Sequence, residues 1–295
     1  MIAGIYPAIY LRTIRKIIEM DSLQRVNNAK LTANQYILEW NTPQNADKTL
    51  ILVEGKDDRE FYFKFFQEST SEIKTSNGCG AIKEIYNILK QKIKYCIVIK
   101  DSDFARLCNI TLDDNAIFYA DAHDYEMMCI KNENTRREVF ENLAMEYDEE
   151  LCEQIFQELN YLSYFKWYNY KHHLNYRFKT FSVEGVSDTQ LNDFNFIHGE
   201  ILPKSKPARM VTADEIESFK QENSSCCKYE LTNGHDFIKR FCHHLRTSYN
   251  TCRQETETSI RNRLHPCFRK DAFMQTHLYQ NLSNWENENE VTILK

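Results

Sequence analysis

Glu54, Asp101 and Asp103 are the residues whose type and placement most directly suggest chemistry. The apolar run Leu50 to Val53 ends at Glu54, and Tyr95 to Ile99 leads through Lys100 into Asp101-Ser102-Asp103. Short apolar runs bounded by turn residues read as buried strands. Carboxylates at the carboxyl ends of parallel strands face the crevice where open α/β sheets hold ligands. The spacing therefore predicts that Glu54, Asp101 and Asp103 converge on a divalent cation, with Asp58 and Glu126 as further candidates. Magnesium takes oxygen ligands and keeps some water, so one to three carboxylates plus substrate phosphate suffice. Two such ions roughly 3.5–4 Å apart can hold the attacking and leaving oxygens of an in-line phosphoryl displacement. Glu54 can bind the second ion or accept a proton from the attacking water. Each fragment also has a plainer reading, because Asp-Ser-Asp before an aromatic is a common helix cap and Glu-Gly a common strand-end turn. The order of the fragments favours the metal: apolar strand, Glu-Gly-x-x-Asp, helix, glycine turn, helix, apolar strand, Asp-x-Asp.

The elements that must position these residues alternate. Gly55 permits a tight turn into a helix over 57–67 (Phe61, Tyr62, Phe65, Phe66), followed by an extended piece around Ile73 and the turn Asn77-Gly78-Cys79-Gly80. A helix over 81–91, strands over 95–99 and 116–119, and Asp121 to Glu126 complete the unit. This alternation predicts an α/β fold with a parallel-rich sheet flanked by helices. Helices are expected at 134–146, 149–160 and 235–248, and an exposed loop at 198–211, where Pro203 and Pro207 sit among Lys204, Lys206 and Arg209. The expected organisation is an N-terminal helical segment (1–47), a catalytic domain (48–131) and a mainly helical C-terminal region (132–295).

At the N-terminus, an apolar run from Ile2 to Leu11 precedes Arg12, Arg15 and Lys16, the reverse of a secretory signal. Ile14, Ile17 and Ile18 extend a helical stripe that can pack on the core or bind a partner. Met20 is a second candidate start, since Asp21-Ser22 would cap a new helix. No stretch approaches the roughly 20 apolar residues that cross a membrane. Ten scattered cysteines without a Cys-x-x-Cys pair suit a reducing cytoplasm, with the thiols used as small apolar groups. A zinc site from Cys242, His243, Cys252, His265 and Cys267 lacks the paired short spacings such sites use. The net charge of −6 restricts any nucleic-acid contact to local patches.

Leu52 to Asp58 (Leu-Val-Glu-Gly-Lys-Asp-Asp), Asn77 to Gly80 and Ile97 to Asp103 together resemble the Toprim family, the metal-binding domain of topoisomerases, bacterial primases and OLD-type nucleases. The resemblance spans about Lys48 to Lys131. It implies that Glu54 serves as acid/base or metal ligand and that Asp101 and Asp103 hold magnesium, with manganese able to substitute. OLD-type members carry a metal-binding acid four positions after the glutamate, which falls on Asp58. The chain is too short for a primase or type IA topoisomerase and lacks the four-cysteine module of recombination mediators. What remains is similar to the Toprim-like proteins that accompany ABC-type ATPases in bacteria, among them the nuclease of the PARIS anti-phage system. His123 to Glu126 and Asn233 to Phe237 are similar to that group's downstream motifs. OLD-type nucleases place a transition-state lysine near the second motif; here His235 stands at the comparable position, with Lys239 one helical turn on. The resemblance implies a toxic effector, homodimeric when active, that an ATPase partner holds until infection and that then cleaves host tRNA. The alternative is a non-catalytic Toprim-fold module that docks on and regulates an ATPase. A nicking enzyme with a covalent tyrosine finds no recognisable tyrosine domain.

Tyr164 to Lys179 interleaves aromatics with bases, a pattern that stacks on unpaired RNA or that builds an aromatic core helix with snorkelling lysines. From His235 to Lys270, eight Lys or Arg face three acids, a segment that can track phosphates or form a solvated helical face. The nucleic-acid candidates are Lys166, Trp167, Lys171, Arg177, Arg240 and Arg246. His123, His172 and His173 are expected to be structural.

Overall fold

The computed structural model describes residues 28–76, 80–112, 114–249 and 252–295. The expected N-terminal stripe, the start at Met20 and most of the Asn77 to Gly80 turn lie outside them. Among the described residues the fold is α/β, with one four-stranded parallel sheet ordered β2-β1-β3-β4. The strands are β1 (Thr49–Val53), β2 (Ser71–Thr75), β3 (Cys96–Lys100) and β4 (Ile117–Tyr119). β1 is buried at all five positions, as an apolar run must be when it has neighbours on both edges. It pairs in parallel with β2 (Ile51 opposite Ile73) and with β3 (Leu52 opposite Val98).

Helix α1 (28–40) lays Ala29, Ala33, Tyr36 and Trp40 against the sheet residues Leu50, Leu52 and Val98. This is the 3.6-residue stripe of a core-facing helix. Its polar tips are satisfied too, since Tyr36 Oη donates to the Thr75 carbonyl and Trp40 Nε1 to the Lys48 carbonyl. α2 (Lys56–Tyr62) follows β1, and α3 (Ile82–Leu89) adds Ile82, Ile85, Tyr86 and Leu89 to the same core.

Thereafter the chain is helical. Its longer helices are α4 (Tyr125–Lys131), α5 (Glu133–Asn142) and α6 (Glu149–Lys171), which precede the short α7 (Asp188–Leu191). α8 (Phe194–Ile201), α9 (Ala213–Glu222), α10 (Lys228–Leu231), α11 (Gly234–Ser248) and α12 (Glu257–Cys267) come next. α13 (Lys270–Met274) and α14 (His277–Asn289) end the series. α6 outruns its expected end at 160 because Tyr161, Tyr164, Phe165, Trp167 and Tyr168 remain buried along it.

The chain divides into two units along lines other than those expected. One holds the described residues up to Lys100, with Asp114–Phe118 and Leu282–Lys295; the other holds 101–112 and Tyr119–Asn281. The C-terminal region is therefore not one separate body. Its tail returns to the first unit, where Leu294 bridges Phe66 and the Gln67 amide donates to the Ile293 carbonyl.

Candidate functional site

In the first unit, the parallel register Leu52 opposite Val98 brings β1 and β3 to a finish at the same end of the sheet. Glu54 is the first residue past β1; Asp101, the first residue of the second unit, follows β3 in sequence. The end of β1 is fastened across to the end of β2: the Ser76 amide donates to the Val53 carbonyl at 2.8 Å and Ser76 Oγ to the Glu54 carbonyl at 3.1 Å. Asp58, expected to bind metal, caps α2. It stands at the third helical position, and its Oδ2 accepts the Gly55 amide at 2.9 Å. That carboxylate satisfies a donor which the helix start would otherwise leave open.

In the second unit, the Asp-Ser-Asp turn is pinned to the segment before α4. Ser102 Oγ donates to the Ala122 carbonyl at 2.7 Å, and the Asp103 amide to the His123 carbonyl at 2.8 Å. Asp103 takes the left-handed conformation (φ 44°), which short polar side chains tolerate better than most. Its carboxylate is 47% exposed, with Oδ1 3.9 Å from His123 Nε2. The His123 ring is buried, edge-on to Phe104, with Nδ1 3.2 Å from the Glu230 carbonyl. His123 is thus the neighbour of a proposed ligand, a placement its sequence position does not reveal.

The structure joins the two downstream motifs. Asp124 caps α4 by accepting the Met127 amide, and its Oδ2 accepts the Gly234 amide at 2.7 Å and Asn233 Nδ2 at 3.2 Å. Only glycine fits at 234, since a Cβ there would lie 2.4 Å from Asp124 Oδ1 and 2.5 Å from Glu126 Cβ. Glu126, expected to bind metal, is 1% exposed and engaged by cations: Arg261 Nε at 3.3 Å and His235 Nε2 at 3.7 Å. Both cationic groups therefore lie close to the Glu126 carboxyl. Burial, and next the Asp124 charge, raise its pKa, while His235 and Arg261 act the other way.

His235 and Lys239 both meet Glu257, through His235 Nδ1 at 2.9 Å and Lys239 Nζ at 3.9 Å. Arg261 Nη2 reaches the same carboxylate at 2.6 Å. Glu257 and Arg261 escape sequence reasoning because nothing in local spacing marks their pairing with residues on α4 and α11.

This network carries a pH prediction. The Glu257 hydrogen bond raises the His235 pKa above its ordinary 6.5 against the effect of burial, and the same bond lowers Glu257 below its ordinary 4.5. The histidine's contribution is full below 6.5 and lost as pH rises through its raised pKa; the glutamate's is present above 4.5 and lost as pH falls through its lowered one. His235→Gln should therefore lower the melting temperature most between pH 4.5 and 6.5. An equal loss at alkaline pH would contradict the pairing.

Two nucleic-acid candidates are corrected by burial. Trp167 is 3% exposed, its Nε1 3.3 Å from Cys108 Sγ, and Arg240 is 1% exposed. Arg240 donates to Glu158 Oε2 from Nε at 2.8 Å, to Asp188 Oδ1 at 2.7 Å and to the Val186 carbonyl at 2.8 Å. The aromatic part of 164–179 is core helix. Of the other candidates, Lys166 pairs with Asp236 and Arg246 with Glu184, Lys171 lies over the Phe219 ring, and Arg177 is exposed.

Among the described residues, no group of three or more His, Cys, Asp or Glu is arranged to hold a metal ion. The donors at the strand ends nevertheless suit magnesium chemically. They are carboxylates, and two of them completed by water and substrate phosphate need no third side chain. No family model matches the chain, and no curated protein matches it. No helix among the described residues is long and apolar enough to cross a membrane.

Proposed function

We propose that this chain is a magnesium-dependent Toprim endonuclease. In this reading it is the toxic effector of an anti-phage defence system, cytoplasmic and homodimeric when active, which cleaves host tRNA once released from an ABC-type ATPase partner. One observation supports it above the others: β1 and β3 pair in parallel, so the strands that precede Glu54 and Asp101 finish at the same end of one sheet. Asp101 and Asp103 would hold the cation, whose charge, when bound, stabilises the phosphoryl oxygens. Manganese offers the same oxygen-ligand chemistry. Glu54 accepts the proton of the attacking water. His123 positions Asp103 by its contact with that carboxylate and by the main-chain bond to it.

A second reading, a non-catalytic module that docks on and regulates an ATPase, draws on Asp58 and Glu126. Asp58 caps its helix, and Glu126 is buried beside Arg261 and His235. Sequencing of RNA and DNA ends after induced expression separates the two. New ends confined to tRNA anticodon loops support the nuclease, and an unchanged end profile supports the module.

A further inference from the structure

We propose that the Tyr170 hydroxyl is a substrate contact of the site built on Asp101 and Asp103, donating a hydrogen bond to a phosphate oxygen of the nucleic acid bound there. This rests on the nuclease reading and deepens it by naming a side chain that touches the substrate. Tyr170 lies in the last turn of α6, in the same unit as the Asp-Ser-Asp turn. Trp167, three residues earlier and so on the same side of the helix, sets its Nε1 3.3 Å from Cys108 Sγ, which ties this end of α6 to the loop after Asp103. The Tyr170 ring meets that of Phe104, the residue next to Asp103, at 5.6 Å between centroids. Phe104 in turn lies 4.7 Å from the His123 ring, and His123 Nε2 lies 3.9 Å from Asp103 Oδ1. Tyr170, Phe104, His123 and Asp103 thus form one contiguous group.

Among the four tyrosines of α6, Tyr170 differs in the state of its hydroxyl. Tyr161 is 2% exposed, and its hydroxyl is sealed in the core. Tyr164 Oη donates to the Asn223 carbonyl at 3.0 Å. Tyr168 Oη donates to Glu215 Oε1 at 3.3 Å and accepts from Arg209 Nη2 at 2.8 Å. Tyr170 is half-buried, and its hydroxyl makes no hydrogen bond among the described residues. Burial, and next the Asp103 charge, raise its pKa. The phenol therefore stays protonated at neutral pH, as a donor must, and lies close enough to Asp103 to feel its charge. A donor left open beside a half-exposed carboxylate suits a ligand that brings acceptor oxygens to that carboxylate. Substrate phosphate, drawn there by the cation, is such a ligand, and hydrogen bonds to an ionised acceptor are the stronger kind. A contact of this type positions a nucleic acid without reading its bases.

The test is Tyr170→Phe in the full chain, which removes the hydroxyl and keeps the ring against Phe104. Binding of fluorescein-labelled tRNA is followed by anisotropy in chelator, and cleavage kinetics are measured with magnesium. Affinity should fall roughly tenfold, and KM should rise by a similar factor with kcat near that of the wild type, the pattern of a contact made equally before and in the transition state. The melting temperature and the magnesium midpoint should not move. Equal affinity and KM in the two proteins would overturn the contact. So would a shifted magnesium midpoint at unchanged KM, which would make the hydroxyl a support for Asp103 instead. Binding and cleavage are scored separately. A wild type that binds tRNA but never cuts it fails the nuclease reading and leaves the two affinities to judge Tyr170, whereas cutting with equal KM in both proteins fails Tyr170 alone. A wild type that neither binds nor cuts would overturn both.

Discussion

Replacing Glu54 with glutamine should erase the new tRNA ends and relieve toxicity, cutting the cleavage rate by roughly 10²–10⁴, the range of a positioned acid/base group. The substitution keeps the side chain's size and removes its capacity to take a proton. The fold should survive, because the Glu54 contact that fastens the strand end uses its main-chain carbonyl, accepting from Ser76 Oγ. An unchanged melting temperature together with lost cleavage is the expected pair of results. Wild-type cleavage in a folded Glu54→Gln protein would remove Glu54 from the mechanism.

Arg240→Ala should destabilise the protein by about 3–5 kcal/mol, the loss that follows when one partner of a buried ion pair is removed. Both Arg240 and Glu158 are nearly inaccessible, at 1% and 4% exposure. Without the guanidinium, Glu158 keeps only His244 among these cationic partners, at 3.0 Å. Burial works to raise the Glu158 pKa, but hydrogen bonds from His244 and Arg240, with their charges, bring it down to about 2. A lowered carboxylate stabilises the fold above its ordinary 4.5, and that contribution is lost as pH falls toward about 2. Chemical unfolding at neutral pH measures the effect. A variant of normal stability that loses RNA affinity would instead restore Arg240 as a nucleic-acid contact.

The sheet was legible because its strands are buried, and buried strands advertise themselves as apolar runs. β1 and β3 fall within a residue of where those runs place them. The two readings of 164–179 were separable only with the structure, since the helix continues through Lys171 and turns Trp167 inward with Tyr164, Phe165 and Tyr168. The carboxylates divided by context. Asp58 lies close enough to Gly55 to cap its helix, a local event that the same spacing also permits for a ligand. Glu126 meets Arg261 and His235 only through packing between helices distant in sequence. Leu282–Lys295 returns to the first unit through an antiparallel bridge, main-chain bonds and the Trp285 ring against Tyr95, contacts between residues too far apart in sequence to leave a local pattern.

A magnesium titration of tRNA cleavage by the purified chain, wild type beside Asp101→Asn/Asp103→Asn, tests most directly whether strand-end carboxylates perform phosphodiester hydrolysis. Cleavage should be absent in chelator, rise with added magnesium in the wild type, and stay near background at every concentration in the double variant. Cutting in chelator, or the same magnesium dependence in both proteins, would contradict the account.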